Sequence, residues 1–415
     1  FWAATSLAQE KAIVQSFEEI SQKLYEMRKD YVASGSYIVI AQNGQVIYKS
    51  MNGLADVEHQ VPVSDSTIFD LASLAKMFTG YAIAQLEVEG LLAPDEDIHK
   101  YLPDFPDYGH KITIAHLLHH TSGVKNWTTL LRRMGWTFDN QVSFEQLIRL
   151  TYAQTELDFK PGERYQYSNS GYNLLVKIIE KATGQSFVDW TQENIFKPLA
   201  MDQSFFNDQP NRIIPHAARG YFLNNQRKQV RAFNNLTGLG SSSLYSNGSD
   251  MVKWMNFLLN PPSHKQKFVD RMLSTQKLNN GEMNTYAYGI EMQEYKGLKF
   301  IHHSGSWGSQ TTHLVLLPEK NAALFLAHNF RTNTRRIINS YVDAFLPPEP
   351  KKDENKTAPP VQTAKKITLR PDQLDAYLGS YQLEKAWFIT ISRIGDQLFT
   401  TANGEPTLPM QAIND

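Results

Sequence analysis

The sequence contains no cysteine among its 415 residues. This absence excludes thiol nucleophiles, disulfide bonds and thiolate metal sites, and it leaves the redox compartment undetermined. No apolar run approaches the roughly 20 residues that a membrane-spanning helix needs. The formal net charge is −1 and the Lys and Arg residues are dispersed, so nothing indicates a nucleic-acid partner. A small neutral or weakly charged substrate fits this composition better.

Several motifs that carry chemistry are missing as well. The chain has no Gly-x-Ser-x-Gly elbow, no phosphate-binding P-loop, no His-Glu-x-x-His helix and no internal repeat. Its length and its hydrophobic content of 41% are enough to bury a large core and to form more than one domain or lobe. The composition is that of a globular protein.

The sequence divides into four segments. Residues 1–9 contain small residues spaced as at a signal-peptide cleavage site, so we expect a signal remnant or a disordered terminus there. Residues 10–346 form the main domain. Residues 347–366 are rich in Pro, Lys, Glu, Asp and Thr, as in a solvated linker. Residues 367–415 show short β runs, which predicts a small β domain, either resting on the main domain or cut short.

The two ends of the main domain carry strand and helix patterns. Apolar residues recur at helical spacing over 10–29, and two β-rich runs, 36–41 and 45–49, flank an Asn-Gly pair that favours a tight hairpin turn. Strand patterns return at 299–303, 312–317 and 322–327 before a final amphipathic helix over 335–346. Between these ends, from residue 94 to 289, the pattern is mostly helical with long polar loops.

A serine and a lysine three residues apart, Ser73 and Lys76, stand at the start of an amphipathic segment. On a helix, residues i and i+3 share a face, so the Lys76 ammonium can reach the Ser73 hydroxyl. The amino end of a helix also leaves backbone N–H groups free where an oxyanion would form. This arrangement suits a catalytic nucleophile, although a helix-capping serine followed by a surface lysine gives the same pattern.

The Ser-x-x-Lys pattern occurs three times, and its context selects one of them. Ser122 belongs to a Thr-Ser-Gly turn, and Ser274 follows the apolar residues of its helix and therefore lies at the wrong end. Only Ser73 opens a helix. Ser73 is therefore the candidate nucleophile of the three, with the helix cap still the alternative.

Two further motifs accompany the serine. Tyr167-Ser-Asn169 follows a Pro-Gly-Glu turn and runs into a helix, and His303-Ser-Gly-Ser306 ends a strand. With Ser73 and Lys76, they resemble the three motifs of the serine β-lactamase and penicillin-binding protein superfamily, which are Ser-x-x-Lys, Tyr-x-Asn and Lys-Thr-Gly or a variant. The likeness covers roughly residues 10–346. It is greatest to class C β-lactamases, D-Ala-D-Ala carboxypeptidases and family VIII esterases.

The resemblance implies an α/β (α+β) fold of the β-lactamase/transpeptidase type. Its antiparallel sheet would be built from both ends of the domain, covered by the first and last helices and interrupted by an inserted helical lobe, with the small β unit at the carboxyl end. Ser73 would lie in the cleft between sheet and lobe. No cofactor is implied. No metal is expected either, because no carboxylate stands between His116, His119 and His120, and the Thr-Ser-Gly that follows looks like the family's structural turn.

The resemblance also implies site roles. Ser73, Lys76 and Tyr167 would be catalytic, whereas a second Tyr-Ser-Asn, at 245–247, is interpreted as a helix cap. Asn169 would donate its amide to the substrate carbonyl and hold Lys76 in place. The remaining substrate and oxyanion residues would be His303, Gly305 and Ser306, with the backbone N–H groups of Ser73 and Ser306 as the oxyanion donors.

Lys76 and Tyr167 are both candidates for the base that deprotonates the serine. A neutral lysine needs its pKa lowered from about 10.4 to near 7, which costs about 4 to 5 kcal/mol. A tyrosinate needs a similar shift, and a charged lysine at about 4 Å supplies on the order of 4 kcal/mol in a partly buried site. The two groups titrate as a coupled pair. We prefer Tyr167 as the base of that pair, beside a charged Lys76.

His303 departs from the superfamily pattern, where a lysine binds a substrate carboxylate. Histidine has a reference pKa of about 6.5 and is mostly neutral at physiological pH, so carboxylate recognition should weaken.

The predicted function is a serine hydrolase that acts through a Ser73 acyl-enzyme on small esters, D-amino-acid peptides or amides, or β-lactams, with slow β-lactam turnover. The alternative is a penicillin-binding-like protein whose slow or silent site serves as a binding module. The resemblance implies a small-molecule or peptide substrate and an extracytoplasmic location, periplasmic or secreted.

Overall fold

The computed structural model describes residues 2–27, 33–137, 140–224, 228–346, 370–384, 387–395, 397–402 and 408–410. By their internal contacts, Phe1–Pro347 and Pro348–Asp415 are two separate compact units. The predicted linker, 347–366, lies outside the described residues.

The strands of the first unit are short except around the central sheet. In chain order they are β1 (Ser36–Gln42), β2 (Gln45–Asn52), β3 (Leu54–Asp56), β4 (Val61–Pro62), β5 (Phe69–Asp70), β6 (Phe205–Phe206), β7 (Gly220–Leu223), β8 (Gln229–Ala232), β9 (Leu244–Ser246), β10 (Gln276–Lys277), β11 (Met283–Asn284), β12 (Glu291–Tyr295), β13 (Leu298–Trp307), β14 (Gln310–Leu317) and β15 (Ala322–His328).

The helices of this unit lie mostly between β5 and β10. They are α1 (Trp2–Glu26), α2 (Ala75–Val88), α3 (Ile114–Leu118), α4 (Trp127–Arg133), α5 (Phe144–Tyr152), α6 (Asn169–Thr183), α7 (Phe187–Thr191), α8 (Gly248–Leu259), α9 (Gln266–Met272) and α10 (Thr334–Asp343). None of the helices within the described ranges is both long and apolar enough to cross a membrane.

The central sheet has the order β12-β13-β14-β15-β1-β2, and every neighbouring pair is antiparallel. Strands from the two ends of the unit therefore meet between β15 and β1, where Ser36 pairs with His328. The predicted antiparallel sheet with an inserted helical lobe is confirmed. The strands β14 and β15 are buried along their whole length, so both faces of the sheet must be covered.

Alternate residues of β1 pack into two different hydrophobic cores, because successive side chains of a strand point to opposite faces of the sheet. Val39 belongs to the large core shared with α2, α6 and α8, and Ile40 to the smaller core under α1 and α10. In the smaller core, the Phe17 ring of α1 lies 5.9 Å from the Tyr341 ring of α10. The first and last helices thus cover the face of the sheet that is opposite to the helical lobe.

Local signals predicted the hairpin well and the amino-terminal helix less well. Asn43 and Gly44 have φ values of +50° and +79°, the conformation of the tight hairpin turn that an Asn-Gly pair favours. The helix α1, however, begins at Trp2 rather than at residue 10. The Ala, Leu and Gln residues of 2–9 are good helix formers with no Gly or Pro among them, and the expectation of a signal remnant or a disordered terminus over 1–9 stays a prediction.

The described residues of the second unit, from 370 to 410 with gaps, form a short helix and an antiparallel sheet. The helix is α11 (Pro371–Asp375), and the sheet has the order β16-β17-β18-β19. These strands are β16 (Gly379–Glu384), β17 (Trp387–Ile394), β18 (Gln397–Ala402) and β19 (Leu408–Pro409). The β character predicted for 367–415 is present in this part of the described chain.

Candidate active site

Ser73 lies in a single 3-10 turn, Ala72–Leu74, that leads directly into α2. The sequence predicts that Ser73 opens a helix, and the structure shows that this opening is a 3-10 turn before the α-helix begins at Ala75. Every residue of α2 from Ala75 to Leu86 is buried, because helices of the lobe and the central sheet enclose it. A helix that is buried all round cannot tilt or roll without breaking its packing, so the position of the serine is fixed.

The Lys76 side chain is completely buried and makes three polar contacts. Its Nζ lies 3.2 Å from Ser73 Oγ, 2.7 Å from Asn169 Oδ1 and 2.7 Å from the carbonyl oxygen of Ser241. Two of these partners can only accept a hydrogen bond, whereas the Ser73 hydroxyl can also donate one. A neutral amine at this position would therefore place its two hydrogens on the carbonyl oxygens and turn its lone pair towards Ser73.

Tyr167 and Asn169 reach this lysine from the helical lobe. The Tyr167 ring centroid lies 4.8 Å from Lys76 Nζ, and Asn169 is the first residue of α6. Ser168, the residue between them, is anchored through its backbone and through its side chain. The Ser168 N–H donates to His120 Nδ1 at 3.2 Å, and the Ser168 hydroxyl donates to the Val124 carbonyl at 2.9 Å. This anchoring fixes the direction in which the flanking side chains project.

Gly305 brings β13 of the sheet against the serine turn from the other side. A Cβ atom at Gly305 would lie 2.3 Å from the Leu71 carbonyl oxygen and 3.1 Å from the Ser73 nitrogen. Only glycine leaves room for this approach. Ser73 therefore lies between Gly305 of the sheet and Asn169 of the lobe, and Ser306, the next residue but one after Ser304 on β13, is exposed. The role of the Ser73 and Ser306 N–H groups as oxyanion donors stays a prediction.

Both ring nitrogens of the buried His303 are already engaged. Its Nδ1 lies 2.7 Å from the Ser304 carbonyl oxygen, to which it can only donate, and its Nε2 lies 2.8 Å from the Tyr286 hydroxyl. Burial lowers the pKa of His303 to about 3. The histidine is therefore neutral at physiological pH, and it offers no cation to a substrate carboxylate.

The surroundings of Lys76 and Tyr167 bear on which of the two is the base, and the preference for a tyrosinate stays a prediction. Burial lowers the pKa of Lys76 well below its ordinary value. Burial also raises the pKa of Tyr167, against a hydrogen bond with Ser73 that acts in the opposite direction. Both pKa shifts act towards the neutral forms. The sequence argument assumed a partly buried lysine that keeps its charge, whereas the amine is in fact fully enclosed and loses its hydration.

Three neighbours of the predicted residues were not found by sequence reasoning. Ser241 contributes only its carbonyl oxygen, and a backbone group has no side-chain signature. The His120 ring packs 4.3 Å from the Tyr167 ring and 4.4 Å from the Tyr286 ring, measured between centroids. The Gly-Leu-Gly-Ser-Ser-Ser run at 238–243 was the available signal for a loop that approaches Lys76 closely. Nothing in the sequence around Tyr286 indicated that it lies near the site.

The competing sequence motifs have structural roles. Asn247, the last residue of the second Tyr-Ser-Asn, caps α8 by accepting a hydrogen bond from the Asp250 N–H at 2.9 Å, as predicted. Ser274 follows the end of α9, and the Ser122 hydroxyl accepts a hydrogen bond from the Val124 N–H at 3.2 Å. Among the described residues, no group of three or more His, Asp or Glu side chains is arranged to hold a metal ion.

The fold and this site define a β-lactamase/transpeptidase-like protein. The family model described as Beta-lactamase matches residues 17–346. The chain therefore belongs to the Beta-lactamase family, within the superfamily that includes the serine β-lactamases, penicillin-binding proteins and other serine hydrolases.

Three known proteins illustrate the similarity. Penicillin-binding protein 4* of Bacillus subtilis (strain 168) is 27% identical over 411 residues, which is 94% of this chain and 88% of that protein. The octameric penicillin-binding protein homologue from Pyrococcus abyssi has a TM-score of 0.71 at 24% identity and covers 95% of this chain and 90% of its own. The D-amino acid amidase of Ochrobactrum anthropi SV3, in complex with L-phenylalanine amide, has a TM-score of 0.67 at 21% identity, over 81% of this chain and 98% of its own. The two structural likenesses establish the fold.

Proposed function

We propose that this protein is a serine hydrolase that acts through an acyl-enzyme on Ser73. The observation that carries the proposal is the set of three contacts at Lys76 Nζ, which leaves the Ser73 hydroxyl as the one partner able to donate a proton to a neutral amine. A serine is a weak nucleophile until a neighbouring base takes its proton. Lys76 is the base in this proposal, in place of the tyrosinate that the sequence favoured.

The reaction proceeds in two halves. Ser73 Oγ attacks the substrate carbonyl carbon while its proton passes to Lys76, and the three contacts of Nζ then satisfy the three donors of the resulting ammonium. The bond to the leaving group breaks as that group takes the proton from Lys76, with the Tyr167 hydroxyl as the relay. Water then attacks the ester of Ser73 with the same groups as base, which releases the acid and restores the serine.

The proposed substrates are small esters and D-amino-acid peptides or amides, with β-lactams turned over slowly. The neutral His303, with both ring nitrogens engaged, supports weak recognition of a carboxylate such as that of a penicillin. Two of the similar proteins are named for penicillin binding and one for D-amino acid amide hydrolysis, which supports this substrate range as a proposal. We also propose an extracytoplasmic location, periplasmic or secreted, which cell fractionation with an antibody would test.

The rival function is a binding module that keeps the fold and acylates without turnover. Product release separates the two. We would incubate the protein with a p-nitrophenyl ester, a D-amino-acid amide and a penicillin, and compare steady-state release with that of Ser73→Ala. Serine-dependent release over many turnovers supports the hydrolase. A single equivalent of product, or none, contradicts the hydrolase and favours the binding module.

A further inference from the structure

The residue before the nucleophile has an unusual backbone conformation. Ala72 has a φ of +50° and is buried. This left-handed region disfavours residues that carry a Cβ, and such a conformation persists only where the surroundings impose it. Since the next residue is Ser73, whatever imposes this conformation also sets the direction of the nucleophile.

A buried carboxyl group holds this turn from one side. Asp70 Oδ1 accepts a hydrogen bond from the Ala72 N–H at 2.8 Å, the pattern by which aspartate stabilises a local turn. The carboxyl is itself held, because Asp70 Oδ2 accepts a hydrogen bond from Asn234 Nδ2 and the Asp70 N–H donates to Gln310 Oε1 at 3.1 Å. Asp70 is 1% exposed, so solvent cannot replace these contacts.

The sheet holds the same turn from the other side. The Leu71 carbonyl accepts a hydrogen bond from Thr312 Oγ1 at 2.8 Å, and the backbone of Gly305 lies directly against it. The Leu71–Ala72 peptide is therefore clamped between a carboxyl group and two strands. If the carboxyl were removed, the strand contacts alone would hold one end of the peptide, and Ala72 could relax to an ordinary negative φ.

Burying an aspartate side chain at position 70 is unfavourable for the free energy of folding. No cation forms an ion pair with Asp70 in the part of the chain that the structure describes, and burial raises its pKa to about 6 against the hydrogen bonds from Ala72 and Asn234. Unpaired buried carboxyl groups are rare in proteins because their desolvation is unfavourable. A group retained under such conditions points to a function beyond packing.

We propose that Asp70 is a positioning residue for the acylation of Ser73, acting by holding Ala72 in its left-handed conformation. This inference rests on the proposed function. With Ala72 fixed, Ser73 Oγ stays within reach of Lys76 Nζ, and the Ser73 N–H stays beside Gly305 at the mouth of the site. Asp70 touches no reacting atom in this account.

The test is a rescue experiment on the full chain. We would measure kcat and KM with a p-nitrophenyl ester, and the acylation rate with benzylpenicillin, for wild type, Asp70→Ala and Asp70→Ala/Ala72→Gly. Asp70→Ala should lower kcat and the acylation rate by about 100-fold with KM within about twofold, as for a misplacement of the nucleophile by about 1 Å. Ala72→Gly in the same chain should restore about tenfold, because glycine adopts a positive φ without strain.

Two further variants separate positioning from damage to the fold. Asp70→Asn keeps an acceptor for the Ala72 N–H and should retain most of the activity. Asp250→Ala removes another buried, hydrogen-bonded carboxyl, which accepts from Ser204 Oγ at 2.9 Å, and should lower stability without lowering kcat of the folded protein. Circular dichroism checks the fold of each variant.

Each outcome decides between the two proposals. A folded Asp70→Ala with wild-type kcat, or one whose kcat is low and is not restored by Ala72→Gly, overturns the inference and leaves the proposed function in place. Wild-type protein that reacts with neither probe overturns the proposed function, and the inference with it. Loss on Asp70→Ala with recovery on Ala72→Gly supports the inference.

Discussion

Lys76 Nζ donates a hydrogen bond of 2.7 Å to Asn169 Oδ1, although the two residues are 93 positions apart in the sequence. The contact joins the start of α2 to the start of α6. It orients the amine towards Ser73 with a neutral amide rather than a carboxylate, so nothing at this contact stabilises the ammonium form as an ion pair would. The choice of amide thus agrees with a lysine that acts as a base.

The first prediction tests that choice. Asn169→Asp keeps the shape of the side chain but places a carboxylate beside Lys76, which should raise the pKa of the lysine by one or more units. Because the neutral amine is the active form, the acid limb of the pH profile of kcat/KM should move to higher pH by the same amount, and activity on that limb should fall about tenfold for each unit of the shift. Asn256→Asp on α8, remote from the site, is the control. An unchanged profile for Asn169→Asp would argue against Lys76 as the base.

Tyr167 is predicted to remain protonated through neutral pH. Burial raises its pKa above the ordinary value of about 10, so its phenol acts as a relay and not as a tyrosinate. Subtracting the tyrosinate absorbance of Tyr167→Phe from that of wild type during an alkaline titration isolates this group. The difference should stay at zero until after the ordinary tyrosines have titrated. A component that titrates near neutral pH would restore the tyrosinate base.

His303 sets the substrate preference in this account. His303→Lys would place an amine where the neutral ring now lies, and a bound substrate carboxylate favours the charged form of that amine. The substitution should therefore raise the acylation rate with benzylpenicillin relative to a neutral p-nitrophenyl ester. The expected change in the ratio is about tenfold, the lower end of what a charge-assisted hydrogen bond contributes. His303→Gln, which stays neutral, is the matched control and should leave the ratio as it is. If the ratio of the two acylation rates were equal in all three proteins, position 303 would not take part in binding the penicillin carboxylate.

A buried histidine pair on the opposite face of the sheet should make the fold acid-labile. His313 Nε2 lies 3.3 Å from His302 Nδ1, and burial lowers the pKa of His313 to about 3. Between the unfolded value of about 6.5 and this folded value, the unfolded chain binds the extra proton, so stability falls as the pH falls. Each such histidine contributes about 1.4 kcal/mol per pH unit.

His313→Gln should reduce the change in unfolding free energy per pH unit by the contribution of about one proton. Urea unfolding at several pH values between about 4 and 6.5 measures it. The same substitution at the exposed His264 serves as the control and should leave the slope unchanged. A wild-type stability that does not decline over this range would contradict the neutral buried pair.

Sequence reasoning succeeded where the signal was local. The Asn-Gly turn at 43–44 and the i, i+3 relation of Ser73 and Lys76 depend on neighbouring residues alone, and both are present in the structure. The contact between Lys76 and Asn169 was expected only through the family resemblance. No sequence pattern around Lys76 or around Asn169 predicts that the two side chains are in contact.

The remaining features of the site depend on burial and on backbone conformation. The carbonyl of Ser241 and the left-handed Ala72 have no signature in residue type. The depth at which Lys76 and Tyr167 are buried, which shifts both pKa values towards the neutral forms, could not be read from the sequence. These features arise only when the lobe closes over the sheet, which explains why motif and periodicity could not supply them.

The most direct measurement is the mass of the intact protein after brief incubation with benzylpenicillin and, separately, with a reactive p-nitrophenyl ester, followed by peptide mapping. Ser73→Ala is the test variant, and Ser122→Ala, in another Ser-x-x-Lys, is its matched control. The account predicts an acyl adduct on Ser73 in wild type and in Ser122→Ala, and none in Ser73→Ala. An adduct that survives Ser73→Ala, or no adduct and no product in any of the three proteins, would contradict the central claim that Ser73 is the nucleophile.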